Sequence, residues 1–519
     1  LNRQAMASHT FITGSTGTGK SNAVYHLLDE ITKNGQTTFL VVEPAKGEYK
    51  NVFGNCTDVQ VFGTNPRETP LLRMNPFAFP ENIHILEHID RLVEIFNACW
   101  PMYAAMPAVL KDAIERSYQK VGWDLRNSES EKGVFPTFFD LLDILPGVIE
   151  ESHYSKDTQS DYVGALCTRV KSLTNGIYGS VLCAEDALTD EALFDRNVIV
   201  DLSRVGSMET KSLLMGILVM KLQEYRMCSS GMNSRLRHVT VLEEAHNLLR
   251  KTSAEQSQEG ANLQGKSVEM LANAIAEMRT YGEGFIIADQ APGLLDMSVI
   301  RNTNTKIILR LPDEEDRKLV GKSAALKEAQ IDELSKLPLG VAAVYQNEWP
   351  EAVLCKIEAY PMPENAVYHK PSKMPHEINA EFVFGQLAVG KELEPLSSSE
   401  MEQLKLWLKR HETVLKPEDS RYLERVFAGG ELDVAKTRKA VFDFFGGIGT
   451  VVDYCAAAEK SLTPRKEFLE QLQGQYGLKA AAADWVLNSV ISMGMSLNPD
   501  AKAVDNLRTN FERQGGRVL

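Results

Sequence analysis

The sequence predicts an α/β fold, with a mostly parallel β-sheet, a large helical insertion and a C-terminal helical module. Several short runs are apolar throughout, as in strands that helices cover on both faces. Helical stretches separate these runs, and strands that alternate with helices are typical of a parallel sheet. The predicted strands are HTFIT (9–13), TTFLVV (37–42), DVQVF (58–62), NVIVDL (197–202), VTVLE (239–243), GFIIAD (284–289), KIILRL (306–311) and GVAAVY (340–345).

Helical periodicity dominates residues 75–185, between the third and the fourth predicted strand. The stretches EHIDRLVEIFNACW and AVLKDAIERSYQKV place apolar residues at i, i+3, i+4 and i+7. We interpret this region as a helical insertion that covers one side of the sheet. The stretch 361–377 contains four prolines and no periodicity, which indicates a linker. We therefore expect a core over 1–360, a linker over 361–377, and a helical interaction or oligomerisation module over 378–519.

Length, charge and cysteine content limit the classes of protein. A chain of 519 residues is too long for one ordinary core. A net charge of −14 excludes a protein that coats nucleic acid with its whole surface, and confines any contact to a local patch such as a pore. The seven cysteines are scattered without a C-x-x-C pair, which argues against structural zinc and favours a reducing compartment. No apolar run reaches ~18 residues and the start does not resemble a signal peptide, so we expect a cytoplasmic protein without a membrane segment.

A glycine-rich motif follows the first predicted strand directly. GSTGTGKS (14–21) fits the pattern G-x-x-x-x-G-K-[ST] and precedes the helical stretch NAVYHLLDEI. Its glycines let backbone N–H groups curl around phosphate oxygens, while Lys20 reaches the β- and γ-phosphates and Ser21 ligates Mg²⁺. The motif therefore predicts ATP and Mg²⁺ as ligands. The predicted nucleotide-binding residues are Gly14, Ser15, Thr16, Gly17, Thr18, Gly19, Lys20, Ser21 and Asn22.

Two adjacent carboxylates, Glu243 and Glu244, end the strand VTVLE. In P-loop NTPases a second strand, adjacent in space to the glycine-rich loop, ends in a carboxylate that holds the Mg²⁺ shell. We assign Glu243 to the metal and Glu244 to the general base that takes a proton from the attacking water. The usual metal-side residue is Asp, so Glu243 is one methylene longer and must sit slightly back from the cation.

A polar residue, Gln290, follows the strand GFIIAD. At the tip of a strand beside the acidic pair, its amide would sense the γ-phosphate or orient the water. Phosphoryl transfer also needs a cation on the developing charge, often an arginine from a neighbouring subunit. Arg279 precedes the Gln290 strand and Arg310 ends KIILRL; of the two we favour Arg279. The predicted catalytic set is Lys20, Glu244, Gln290 and Arg279.

The ordered motifs resemble the HerA branch of the HerA/FtsK superfamily of P-loop ATPases. The resemblance implies a RecA-like core that assembles as a hexameric ring around a central channel and translocates double-stranded DNA. It also implies that Lys20, Ser21, Glu243, Glu244 and Gln290 carry hydrolysis, and Arg279 matches the arginine of the family's R-K-x-G. The matching stretches, between about residues 9 and 360, are ITGSTGTGKSN, VVEPAKGEYK, MNPFAFPENIHILEHIDRLVEIF, VTVLEEAHNLL, RTYGEGFIIADQAP and NTNTKIILRLPDEED.

The sequence departs from the family in two places. The family's usual T-Q-R-P is replaced here by DQAP, which lacks the arginine. HerA proteins usually begin with a small β-barrel, and we expect none ahead of this glycine-rich loop unless the sequence is a fragment of a longer chain. Relatives work with nucleases in DNA end resection, or with nuclease or sirtuin-type effectors in anti-phage defence. The resemblance therefore implies an effector partner that supplies any second activity.

The polar stretch RKTSAEQSQEGANLQGKS (250–267) is the best candidate for a DNA-contacting pore loop. Arg250, Lys251 and Lys266 would contact phosphates, although a flexible solvated loop explains the same composition. Our leading hypothesis is a ring-forming, DNA-translocating ATPase or helicase that works with an effector. Two alternatives stay open. One is a type IV secretion-type ATPase with the same core, and the other is a nucleotide-gated scaffold for a partner enzyme.

Overall fold

The structure is a computed structural model of the chain. It describes residues 1–518 except 34, 36, 104, 131–132, 185–186, 253–262, 363–365, 371–377, 390–392, 394, 412–413, 462 and 499. The chain divides into two compact units, one over Leu1–Lys370 and the other over Pro371–Leu519. Each unit has its own hydrophobic core and is considered by itself.

A nine-stranded sheet organises the first unit, in the order β11-β10-β9-β1-β8-β7-β2-β6-β3. The seven strands from β9 to β3 run parallel, whereas β10 and β11 pair antiparallel at one edge. A separate short hairpin joins β4 and β5. The described strands are β1 Thr10–Thr13, β2 Thr38–Glu43, β3 Val59–Gly63, β4 Trp123–Asp124, β5 Glu129–Ser130, β6 Asn197–Asp201, β7 His238–Glu243, β8 Glu283–Asp289, β9 Thr305–Ile308, β10 Val341–Gln346 and β11 Val353–Lys356.

Helices cover both faces of this sheet. The helices described in the first unit are α1 Lys20–Thr32, α2 Tyr49–Phe53, α3 Ile85–Cys99, α4 Met106–Lys120, α5 Phe138–Glu151, α6 Lys156–Tyr162, α7 Thr168–Thr174, α8 Gly176–Leu182, α9 Asp190–Phe194, α10 Met208–Ser229, α11 Leu263–Glu277, α12 Met297–Arg301, α13 Glu314–Ser323 and α14 Glu328–Glu333. Short 3₁₀ turns span Gln4–Ser8, Ala245–Asn247, Met278–Tyr281 and Pro292–Leu294, and a π-helical turn spans Val163–Cys167.

The alternation along β2 shows how the two faces are filled. Leu40 and Val42 belong to a core that also contains the apolar stripes of α3 and α10. Phe39 and Val41 belong to the opposite core, with the buried side of α1. Because both sets are buried, the strand is apolar throughout, which is the pattern expected of a covered parallel strand. The prediction of an α/β fold with a mostly parallel sheet is confirmed.

The second unit is helical in its described residues, with an aromatic-rich core built around Phe384, Trp407, Phe444 and Tyr454. No single helix described in either unit is long and apolar enough to cross a membrane; one bent pair, Val434–Phe444 with Gly447–Ala458, passes that test by length and composition only. The helices of this unit are α15 Ala380–Val389, α16 Ser398–Arg410, α17 Pro417–Phe427, α18 Val434–Phe444, α19 Gly447–Lys460, α20 Pro464–Tyr476, α21 Ala480–Leu497 and α22 Ala501–Arg513.

A buried charged network ties α10 to the amino ends of β7 and β8. Glu283, the first residue of β8, accepts hydrogen bonds from Arg226 Nε at 2.9 Å and from the Thr240 hydroxyl at 2.8 Å. His238 Nδ1 lies 2.7 Å from the same carboxylate. Burial alone would raise the pKa of Glu283, but His238 and Arg226 outweigh it and lower that pKa to about 2. The ionised carboxylate is therefore fully paired inside the protein.

Replacing Glu283 by Gln should destabilise the first unit, because the change removes the buried carboxylate that pairs with Arg226 and His238 and leaves Arg226 paired with Asp195 alone. We expect a loss of about 3–5 kcal/mol in the free energy of unfolding at neutral pH. Glu283 has a lowered pKa when folded, so its stabilisation is present above the unfolded value near 4.5 and is lost as the pH falls toward 2. Urea denaturation at several pH values would measure the loss of stability and its dependence on pH. Hydrogen exchange would show whether the loss affects β7 and β8. The matched control is the exposed Glu81→Gln, which should change stability by less than about 0.5 kcal/mol.

Candidate functional site

The glycine-rich loop joins β1 to α1 at the carboxyl edge of the sheet. Gly17 and Gly19 have φ angles of 76° and 105°, a conformation that residues with a Cβ rarely adopt. α1 begins at Lys20, whose ammonium donates to the Gly14 carbonyl at 2.6 Å. Burial lowers the pKa of Lys20, while the carboxylates of Glu244 and Glu243 oppose that shift. The loop thus holds backbone donors and a partly desolvated cation at one helix N-terminus, which suits a polyphosphate.

Glu243 is the last residue of β7 and is buried. The Tyr49 hydroxyl donates a hydrogen bond to its carboxylate. Burial raises the pKa of Glu243 to about 7, against the lowering effects of the Tyr49 hydrogen bond and of Lys20. Ser21 lines the same cavity. A buried carboxylate beside a hydroxyl is an all-oxygen donor set that fits Mg²⁺, which would also compensate the buried charge.

Glu244 lies in the turn after β7, in a left-handed conformation with φ of 45°. Its carboxylate accepts a hydrogen bond from the side-chain amide of Gln290, which follows β8. The Thr16 hydroxyl in turn donates to Gln290 Oε1 at 2.5 Å. The structure therefore brings together three predicted segments, the glycine-rich loop, the acidic pair and Gln290. The strained turn at Glu244 is typical of functional positions.

One cavity of about 450 Å³ contains these groups. Its inner part is lined by the glycine-rich loop, Lys20, Ser21, the acidic pair and Gln290, and its outer part by residues near β10 and β11. The inner part contains the Lys20 ammonium and the glycine-rich loop, which are groups that suit a polyphosphate.

A wall of this cavity was missed by the sequence analysis. Residues 356–359, which end and follow β11, line it together with Leu339. The Asn22 side chain fixes that wall, since its Nδ2 donates to Glu358 O at 2.9 Å and its Oδ1 accepts from Tyr360 N at 2.7 Å. Asn22 was predicted to bind nucleotide. Both its polar groups are engaged by the wall, so in this structure it acts as a clamp.

The turn after β2 contributes two further residues that were not predicted. Glu43 ends β2 in the cavity and accepts backbone hydrogen bonds from Glu48 at 2.7 Å and Tyr49 at 3.1 Å. Burial raises the pKa of Glu43 to about 8. Lys46 also lines the cavity, on a left-handed turn with φ of 57°. Both residues lie in VVEPAKGEYK, a stretch that resembles the HerA family. That resemblance was the only sign in the sequence that they belong to the site.

The two arginines considered for catalysis occupy different ends of the sheet. Arg279 is exposed and precedes β8, whereas Gln290 follows it. A strand of seven residues separates their ends by roughly 20 Å, so Arg279 does not reach the cavity of its own subunit. Arg310 is exposed on the carboxyl side of β9, and its carbonyl accepts from Ser15 N at 2.9 Å. Arg310 therefore lies beside the loop of its own chain.

The three basic residues predicted to contact DNA are exposed. Arg250 and Lys251 follow the 3₁₀ turn after β7, and Lys266 lies in α11. Residues 253–262, most of the predicted pore loop, lie outside the described residues. Arg250 and Lys251 line a second cavity of about 490 Å³.

Comparisons with known sequences agree with this geometry. Residues 2–221 match the family described as the central domain of helicase HerA. A DNA double-strand break repair helicase HerA of Sulfolobus acidocaldarius is 25% identical over 370 residues, 68% of this chain and 66% of that protein. The corresponding helicase of Saccharolobus solfataricus is 23% identical over 66% of this chain and 63% of its own length. The chain thus spans about two thirds of the length of these curated relatives.

Solved structures share the fold. VirB4 of Thermoanaerobacter pseudethanolicus superposes with a TM-score of 0.53 at 19% identity, covering 68% of this chain and 90% of VirB4. The plasmid coupling protein TrwB, in complex with ADP and Mg²⁺, has a TM-score of 0.50 at 14% identity, over 70% of this chain and 88% of TrwB. The order of motifs, the geometry of the cavity and the match to the HerA central domain lead to one conclusion. Residues 2–221 are similar to the central domain of helicase HerA, and the chain has the fold of the P-loop ATPases VirB4 and TrwB.

Proposed function

We propose that this chain binds ATP and Mg²⁺ and hydrolyses ATP as the motor subunit of a double-stranded DNA translocase or helicase. The observation that carries the proposal is the convergence of Lys20, the acidic pair and Gln290 in one cavity. A structural neighbour, TrwB, is known with ADP and Mg²⁺ bound, which supports this choice of ligands. The HerA relatives, which are DNA repair helicases, support the choice of DNA.

Each residue of the cavity has a role in this reaction. Lys20 and the backbone N–H groups of the loop hold the phosphates, and Ser21 with Glu243 holds the cation. When bound, Mg²⁺ neutralises phosphate charge and stabilises the leaving group. Glu244 takes the proton of the attacking water, and the hydrogen bond from Gln290 fixes the orientation of that carboxylate. Gln290 also contacts Thr16, so it is placed to sense whether the terminal phosphate is present.

A ring assembly would give Arg279 a role in catalysis. Its exposed side chain lies at the edge of the sheet opposite to its own cavity. If Arg279 stabilises the transition state, it must do so in a neighbouring subunit, which requires a head-to-tail interface. A closed ring of such interfaces, a homo-hexamer in the HerA family, would enclose the DNA. Arg250, Lys251 and Lys266 would then contact its phosphates.

The effector and the cellular role extend this proposal. A nuclease or sirtuin-type effector would add the second activity, in anti-phage defence or DNA end processing. A second candidate function is favoured by the fold, because VirB4 and the coupling protein TrwB share it. A secretion-type ATPase would sediment with membranes and ignore duplex DNA. A nucleotide-gated scaffold would hydrolyse ATP slowly with or without DNA.

Steady-state hydrolysis of ATP, with and without linear duplex DNA, tests the proposal directly. We expect duplex DNA to raise the rate several-fold. Glu244→Gln should lower kcat by at least about 100-fold, because the general base is lost, while ATP binding and assembly persist. Lys20→Ala should instead weaken binding of a fluorescent ATP analogue, because it removes the cation on the phosphates. Near-normal turnover by Glu244→Gln would rule out Glu244 as the base.

Mixing two inactive variants tests the role of Arg279. An Arg279→Ala subunit keeps its cavity and a Lys20→Ala subunit keeps its arginine, so each alone should be inactive. In an equimolar mixture that exchanges subunits, about a quarter of the interfaces combine an intact cavity with an intact arginine, and activity should return to that level. Arg310→Ala mixed with Lys20→Ala is the matched control. If restoration occurs only in the Arg310→Ala mixture, Arg310 is the arginine that acts between subunits.

A further inference from the structure

Two loops at the carboxyl edge of the sheet are joined by a buried carboxylate. One loop follows β7 and begins with Glu244, and the other follows β8 and begins with Gln290. Asp289, fully buried at the end of β8, accepts the His246 backbone N–H at 2.8 Å. His246 Nδ1 lies 2.9 Å from the same oxygen. The Asp289 carboxylate thus holds the turn after β7 through two contacts to one residue.

The same two loops join a second time further along the chain. Lys251 N donates to Leu294 O at 2.8 Å, and Asp296 N donates to Leu249 O at 2.9 Å. Arg250 and Leu295 face each other in this short antiparallel pair. We call the two segments, 249–251 and 294–296, the paired segments.

The two junctions connect two different cavities. Glu244 and Gln290, at the start of the loops, line the nucleotide cavity. Arg250 and Lys251, on the paired segments, line the second cavity. His246 lies between them, because its Nδ1 is 3.5 Å from the Glu244 carboxylate while the residue also lines the second cavity. His246 therefore contacts the Glu244 side of the nucleotide cavity and lies on the same loop as Arg250 and Lys251.

We propose that His246, held on Asp289, is a positioning residue that couples the nucleotide cavity to Arg250 and Lys251 through the paired segments. The ligand on the basic side is a polyanion, the phosphate backbone of DNA. This inference rests on the proposed function for the identity of both ligands. The mechanical link itself depends only on the described contacts. Coupling of this kind needs one element that both sites bias, and the joined loops are that element.

Hydrogen exchange tests the link without any hydrolysis or DNA. In the wild-type chain, a non-hydrolysable ATP analogue should change the exchange rates of the Lys251 and Asp296 amides by about fivefold or more. Adding His246→Ala should abolish that change while the analogue still binds. Asn247→Ala isolates the contribution of Asp289 and should leave the response intact, because Asn247 also contacts Glu244 and lines the second cavity but has no described contact to Asp289. An unchanged response in the His246→Ala background would overturn the proposal.

A second experiment tests the paired segments. It measures the stimulation ratio, which is the rate of ATP hydrolysis at saturating duplex DNA divided by the rate without DNA. Lys251→Ala removes one charge but keeps the backbone N–H, so it should weaken DNA affinity and leave this ratio unchanged. Lys251→Pro also removes the donor to Leu294 O, so it should lower the ratio by about fivefold or more. Equal ratios in the two variants would contradict the role of the paired segments.

A second variant guards against a local folding defect caused by proline. Asp289→Asn weakens the anchor from the opposite side, and in combination with His246→Ala it should lower the ratio no further than either change alone. Additive losses would show that the two residues act separately. If the wild-type chain shows the exchange response but no stimulation by DNA, the proposed function fails while the mechanical link stands. The reverse outcome refutes the link and leaves the proposed function intact.

Discussion

The parallel alignment of β1, β8, β7 and β2 is the constraint on which the site depends. Thr13 of β1 pairs with Asp289 of β8, and Glu243 of β7 pairs with Ala288, so these strands end together. Polar residues that are far apart in sequence therefore emerge side by side at one edge. A slip of one residue would turn every side chain to the opposite face and move the acidic pair out of the cavity. The apolar strands and the helices on both faces maintain this alignment.

The cavity concentrates charge that the protein does not compensate by itself. Burial raises the pKa of Glu43 and Glu243 and lowers the pKa of Lys20. A carboxyl whose pKa is raised on folding favours the folded state when protonated, so its ionisation costs stability as the pH rises from about 4.5 to 8. A bound cation would pair with the buried carboxylates, and the phosphates that it accompanies would pair with Lys20. The strained turn at Glu244 also costs stability, and such strain is typical of residues that serve a functional site.

The sequence predicted the parts of the site that belong to single segments. A glycine-rich loop between a strand and a helix, and carboxylates at the end of an apolar strand, are local patterns, and the structure brings both into one cavity. Glu43 and Lys46 were not recognised because their role depends on β2 lying beside β7, which only the strand order fixes. The wall at 356–359 depends on the antiparallel β10–β11 hairpin folding back onto Asn22. His246 resembles an ordinary polar residue until Asp289, 43 positions away, is found beside it.

The core alone does not distinguish a DNA motor from a secretion motor. VirB4 and TrwB share the fold at 19% and 14% identity, so the fold by itself does not decide between these functions. The difference between a DNA motor and a secretion motor must lie where the nucleotide cavity connects to the site that binds the transported molecule. The connection that we propose for this chain runs from Glu244 and Gln290 through His246 and Asp289 to Arg250 and Lys251. Its basic end suits a phosphate backbone better than an exported polypeptide, since a protein substrate offers no regular array of negative charge. This local chemistry, more than the fold, is the reason why we propose DNA as the substrate.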